Sequence, residues 1–150
     1  MHISIEIPRQ PEVLELLRLS DEYALSLYPA ESCYMLDVGE LEASGVAVFV
    51  ARLDGEAVGM AAIVDRFDGS AELKRMFVLV EARGHGVGHA LLDAIDAHAE
   101  SRGVTTIQLE TGPKQLAAIA LYERAGYAHI PNFGQYVGDE FSVCMEKARD

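Results

Sequence analysis

The sequence predicts an α+β, three-layer domain on a mixed, mostly antiparallel sheet, with a βαβ crossover at its centre and helices on its flanks. Three observations carry this. β-Rich runs at 46–53, 56–64 and 71–79 are separated only by Asp54-Gly55 and Asp68-Gly69-Ser70, so they should pair as an antiparallel meander. The hydrophobic period then changes, and Leu91, Leu92, Ile95 and Ala99 share one helical stripe. A strand is read from Val104 to Leu109 after that helix, and a strand–helix–strand unit of this kind crosses over right-handedly.

Each element has a local reason. Ile3, Ile5 and Ile7 alternate with polar residues, the pattern of a half-buried strand, and Pro8 and Pro11 end it. From Pro11 to Tyr28, Val13, Leu14, Leu17, Tyr23, Ala24 and Leu27 recur at three- and four-residue spacing. Ser20-Asp21-Glu22 interrupts them like a fresh N-cap, which predicts one broken or two short helices. Residues 29–45 are irregular, with Pro29, Gly39 and Gly45. After the meander a helix is predicted over 86–102, closed by Gly103. A strand follows at 104–109, then a helix at 114–125, ended by Gly126. Short strands at 127–130 and 141–145 flank a Pro/Asn/Gly-containing loop. With no linker, repeat or low-complexity segment, residues 1–150 read as one domain.

Twelve basic and 24 acidic side chains give a formal charge of −12. The acidity is spread along the chain: residues 1–75 carry 6 basic and 14 acidic groups, and residues 76–150 carry 6 and 10. Such a surface argues against nucleic acid and against an anionic membrane, and favours a cationic or amine-bearing partner. Cys33 and Cys144 are too few for a disulfide framework. The N-terminus has no signal-peptide pattern and no apolar run spans a membrane, so the expected compartment is the cytoplasm. The C-terminal strands offer an edge through which a homodimer could form.

The segment Val78 to His89 is the richest in chemical information. A predicted strand enters a loop with glycines at 84, 86 and 88, and a helix starts there. Glycines let a backbone approach a ligand closely, and a helix N-terminus adds free N–H donors, which together suit a phosphate or pyrophosphate. No Gly-Lys-Ser/Thr follows, which excludes a Walker loop. A dinucleotide fold would use Gly-x-Gly-x-x-Gly, and here the spacing is Gly-x-Gly-x-Gly after an antiparallel meander, with only 40 residues beyond Glu110.

Arg83-x-x-Gly86-x-Gly88 matches the Arg/Gln-x-x-Gly-x-Gly/Ala signature of the GCN5-related N-acetyltransferases (GNAT). Leu121-Tyr122-Glu123-Arg124-Ala125-Gly126-Tyr127 resembles that family's second landmark, Leu-Tyr-x-x-x-Gly-Phe/Tyr. The resemblance is clear over about residues 71–130. It implies an acyl-CoA donor, usually acetyl-CoA, and transfer of the acyl group to an amine. It implies that Met76, Phe77 and Val78 pair with the pantetheine arm. Arg83 belongs to the signature, and the backbone of Gly84, His85, Gly86, Val87, Gly88 and His89 would hold the pyrophosphate. Pantetheine amides can add to a strand edge as another strand does, which supports the same placement physically.

Leu73 and Met76 both look inward-facing yet are three apart, so a β-bulge is expected near Lys74-Arg75, opening a wedge toward the 104–109 strand. Acyl transfer to an amine must remove an ammonium proton, stabilise an oxyanion and protonate a thiolate. The resemblance assigns Tyr122 as the acid for the thiolate, and Gln115, Ala118 and Tyr122 share a helix face that would border the donor. Gln115 stands where many relatives carry an Asn that touches the cofactor. The base is open between Glu110, which matches a catalytic glutamate of the ribosomal-protein branch, Glu72 and a water chain. A backbone N–H of Val78 is the candidate oxyanion donor. For the acceptor, a small-molecule or peptide amine, the candidates are Tyr28, Glu31 and Tyr136, with Tyr34, Asn132, Gln135 and Asp139 nearby. His85 and His89 are four apart but lack an HExxH pattern or a third ligand, so no metal is expected. Cys144, in an alternating strand, reads as core. The rival functions are an idle acyl-CoA sensor on the same fold and a dinucleotide-binding protein.

Overall fold

The computed structural model describes residues 1–149. Its elements are β1 (His2–Ile5), α1 (Pro11–Leu27), α2 (Val38–Leu41), β2 (Val46–Leu53), β3 (Glu56–Asp65), β4 (Ser70–Val78), α3 (Val87–Ser101), β5 (Thr106–Thr111), α4 (Leu116–Arg124), β6 (Ala128–Ile130) and β7 (Val143–Ala148). The strands form one sheet in the order β1-β2-β3-β4-β5-β7-β6, antiparallel except for β4 and β5. The α+β class, the meander and the central βαβ crossover are as the sequence predicts. None of the described helices is long and apolar enough to cross a membrane.

Alternation along β2 sets the layers. Phe49 and Ala51 face a core that also holds Leu91, Leu92 and Ile95 of α3. Val48 and Val50 face the opposite core, with Val13, Leu16 and Leu17 of α1 and Leu41 of α2. The central strands are therefore buried on both sides, which is why 46–51 is an unbroken apolar run. Each fully buried Leu or Ile of α3 contributes at most ~1.5–3 kcal/mol by area to that layer.

Three boundaries differ from the sequence reading. α1 is one continuous helix, entered at Pro11 and running through Ser20-Asp21-Glu22. Asp21 caps nothing there; its carboxylate lies 2.6 Å from the Arg75 guanidinium. The predicted irregular stretch contains α2, opened by a reciprocal capping box between Asp37 and Glu40. The last strand runs Val143–Ala148 instead of 141–145, which leaves Phe141 and Ser142 in the loop before it.

The feature that positions the site lies in β4. Its register against β3 passes from Met60↔Phe77 to Ala62↔Lys74, so β4 carries one extra residue between them. Arg75 absorbs it in the left-handed region, with φ +57. That conformation is costly for a side-chain-bearing residue. Arg75 is held there from α1: its guanidinium donates to the Leu17 carbonyl (3.1 Å) and pairs with Asp21, and its side chain is 4% exposed. On its other edge β4 pairs with β5 only from Ser70↔Thr106 to Leu73↔Leu109. Beyond Leu73 the two strands part.

Candidate active site

The gap left by that parting is a cleft, bordered by Tyr28, Lys74, Met76, Glu110, Gln115 and Tyr122 among others. It lies at the C-terminal ends of the parallel strands, in the crevice where open mixed sheets take ligands.

Glu110 is the next residue after the last β4–β5 pair, Leu73↔Leu109, so the split itself exposes it. Burial raises its carboxyl from the ordinary range to about 7. A hydrogen bond from Ser142 Oγ to Glu110 Oε2 (2.8 Å) and the charge of Lys74 work in the opposite direction. Tyr122 projects from α4, is 5% exposed, and lines the same cleft. Burial, reinforced by Glu110, pushes its phenol upward, so at neutral pH it is a proton donor. Among the described residues nothing accepts its hydroxyl, and that oxygen is not sealed from solvent.

Glu72 and Tyr136 are placed elsewhere. Glu72 sits on β4 before the bulge, accepts a 2.5 Å hydrogen bond from the Tyr136 hydroxyl, and pairs with Arg66 (3.2 Å) and Lys74 (3.7 Å). Tyr136 is 1% exposed and also accepts from Lys74 Nζ (2.8 Å). Both belong to a network beside the cleft, and neither borders it. Sequence periodicity could not show that the loop carrying Tyr136 folds inward. Glu31 stands exposed on a single 3-10 turn, Ala30–Ser32, also outside the cleft lining. Tyr28 does border it, and its hydroxyl accepts from the Lys114 N–H (3.1 Å). A side chain on Gly112 would meet that hydroxyl at 1.9 Å, so glycine there is what admits the tyrosine. Asp139 ties the loops together, accepting from Tyr34 Oη (2.6 Å), Ser32 Oγ (3.2 Å) and the Phe141 N–H (2.8 Å).

The glycine loop lies between β4 and α3. Gly84 (φ +84) and Gly86 (φ +76) are left-handed, and a Cβ at either would point into open space. Among the described residues, no backbone N–H from Gly84 to His89 has a protein acceptor. Gly88 instead serves packing, since a Cβ there would lie 2.8 Å from Leu121 Cδ2. From Lys74 to Val78, β4 has no strand on its cleft edge. Met76 faces that cleft, while Phe77 and Val78 pair with Met60 and Gly59. Free N–H groups, an open cradle and an unpaired strand edge fit a diphosphate joined to an amide-bearing arm. Gln115 borders the cleft and accepts from the Gly112 N–H (3.1 Å). Arg83 is exposed beside the Tyr23 ring. His85 is bonded to the Ala82 carbonyl and His89 lies 3.3 Å from Asp93.

The profile of the Acetyltransferase (GNAT) family matches residues 11–127. The chain belongs to the GNAT family. An IAA acetyltransferase of Azospirillum brasilense is 42% identical over 146 residues, 97% of this chain and 95% of that one. A Klebsiella pneumoniae protein assigned as an acyl-CoA N-acyltransferase superposes with a TM-score of 0.84 at 35% identity, covering 99% and 97% of the two chains. An aminoglycoside 6'-N-acetyltransferase solved with coenzyme A shares the fold, with a TM-score of 0.70, 22% identity, and 99% and 97% coverage. The GNAT match spans the glycine loop, Glu110 and Tyr122, and makes this chain an N-acetyltransferase. Two residues at this GNAT site escaped the sequence reading: Ser142, on Glu110, and Gly112, beneath Tyr28. No local pattern links 142 to 110; only the pairing of β5 with β7 brings them together.

Proposed function

We propose that this protein transfers an acetyl group from acetyl-CoA to a small-molecule or peptide amine held in the cleft, by direct attack of the amine on the thioester. The observation that carries the reading is the meeting of Glu110, raised by burial to about 7, with a protonated, unpartnered Tyr122 hydroxyl in one cleft. Bound acetyl-CoA would supply an acyl group activated as a thioester, with a thiolate as its leaving group. The N–H groups of Gly84 to His89 would hold its pyrophosphate, and the free edge of Met76 to Val78 would hold its pantetheine arm. Glu110 accepts the proton of the incoming ammonium, a task suited to a carboxyl poised near neutrality. Tyr122 gives its proton to the departing sulfur. Glu72 does not compete as base, because its carboxylate is already committed to Arg66, Lys74 and Tyr136. The relative named as an IAA acetyltransferase supports placing small molecules first among the acceptors tried.

The test is release of free thiol when the protein meets acetyl-CoA and a panel of amines, with CoA binding followed by thermal shift. Thiol release that depends on one of the amines is expected. CoA should raise the melting temperature of the wild type and not of Gly86→Val, because a β-branched residue is strained at φ +76 and its side chain would fill the open cradle. An equal shift in a folded Gly86→Val would remove the glycine loop from the donor site. CoA binding without thiol release from any amine would favour the idle sensor.

A further inference from the structure

We propose that Ser142 is a positioning residue for Glu110: its hydroxyl engages Oε2 and leaves Oε1 as the oxygen that takes the amine proton. The proposal rests on Glu110 being the base. Ser142 lies in the loop just before β7 and is 8% exposed. A hydroxyl has one proton to donate, and here it goes to Glu110 Oε2 at 2.8 Å. Glu110 Oε1 has no protein partner among the described residues and is not sealed from solvent. The carboxylate is thus differentiated before substrate arrives. When Oε1 takes a proton, Ser142 can keep donating to Oε2, so no side chain has to turn during the transfer.

The placement of Ser142 is itself built. Its N–H donates to the Asp139 carbonyl (3.2 Å), and the Asp139 carboxylate holds the Phe141 N–H, Tyr34 and Ser32. Asp139 therefore links the acceptor-side loop after α1 to the turn that delivers Ser142.

The surroundings of Glu110 define what the hydroxyl must offset. From β4 come Lys74, which favours the carboxylate, and Glu72, which opposes it; Asp139 in the loop before β7 also opposes it. Among the described residues, Tyr28, Cys33 and Tyr34 from the segment after α1, Tyr122 from α4, and Tyr136 and Cys144 are further titratable groups that feel its charge. Burial dominates and favours the neutral acid; the Ser142 bond is the largest influence in the other direction.

The experiment is a pH titration of the Glu110 carboxyl by NMR on protein labelled with carboxyl-13C glutamate, the resonance being identified by its loss in Glu110→Gln. Wild type should titrate near 7. Ser142→Ala, or Ser142→Gly, should move the midpoint upward by about one pH unit, as expected from losing a hydrogen bond to a charged group while the bond to the neutral acid is worth less. Ser142→Thr, which keeps the hydroxyl, should return it toward wild type. A midpoint unchanged in both Ser142→Ala and Ser142→Gly, or a Ser142→Thr midpoint that follows Ala, overturns the proposal. The titration needs no acceptor, so it is separate from the base assignment: Glu110→Gln with full acetyl transfer would defeat Glu110 as base and leave the titration result standing.

Discussion

The Tyr122 side chain is 5% exposed, and among the described residues none accepts its hydroxyl, which faces the cleft. Tyr122→Phe keeps the ring and its edge contact with Tyr127, at 5.9 Å between centroids, so stability and CoA affinity should hold. A contact made only as charge gathers on sulfur lowers turnover without weakening binding. A loss in kcat of ~10²-fold is expected, the low end for general acids because thiolates leave readily. Donors with better leaving groups should recover it. Turnover near wild type under saturating acetyl-CoA would make Tyr122 a packing residue. At this scale the sequence was informative where a residue sits in a motif or ends a strand, as Tyr122 and Glu110 do. It offered Tyr136 as an acceptor-side residue, whereas the hydroxyl bridges Lys74 and Glu72 and the ring lies outside the cleft lining.

Among the elements, the bulge in β4 was legible because it leaves a trace in spacing: Leu73 and Met76 face the same way at a separation strict alternation forbids. What holds it was not legible, since Arg75 reaches α1 residues 54 and 58 positions earlier. α2 has only four residues and no hydrophobic period to detect, and its one local signal was the Asp37…Glu40 capping pair. The approach of α1 to the β5–α4 turn makes a separate prediction. In Gly112→Ala the new methyl would lie within 1.9–2.6 Å of three Tyr28 ring and hydroxyl atoms. The ring must leave its place, at a cost of about 1–3 kcal/mol or more. Thermal denaturation should show that loss, and Tyr28→Ala in the same chain should recover most of it. Simple additivity of the two substitutions would contradict a direct contact.

For the whole molecule, two carboxylates with opposite perturbations shape stability against pH. Glu6 is drawn down to about 2, chiefly by the Arg52 hydrogen bond, in a cluster that also takes Glu12 and joins β1, β2 and α1. Its contribution is present above the ordinary carboxyl value of 4.5 and lost as pH falls toward 2. Glu110 is shifted the other way: its contribution is present below 4.5 and lost as pH rises through 7. Melting temperature should therefore peak on the acid side of neutrality, at about pH 5. Glu110→Gln should flatten the decline between there and pH 8, and Arg52→Ala should flatten the acid limb. A wild-type melting temperature that climbs steadily from pH 5 to 8 would show that Glu110 is not buried at cost.

That upward-shifted carboxyl is the centre of the proposed function, and kcat/KM against pH tests it most directly. With the preferred amine of the panel, wild type should rise through a limb near 7 as Glu110 ionises. Glu110→Gln should fall by ~10²-fold or more at pH 7 and recover in part at pH 9, where the amine sheds its proton unaided. Glu72→Gln should lose far less, and equally at both pH values. A Glu110→Gln profile that overlays wild type across this range would contradict the account.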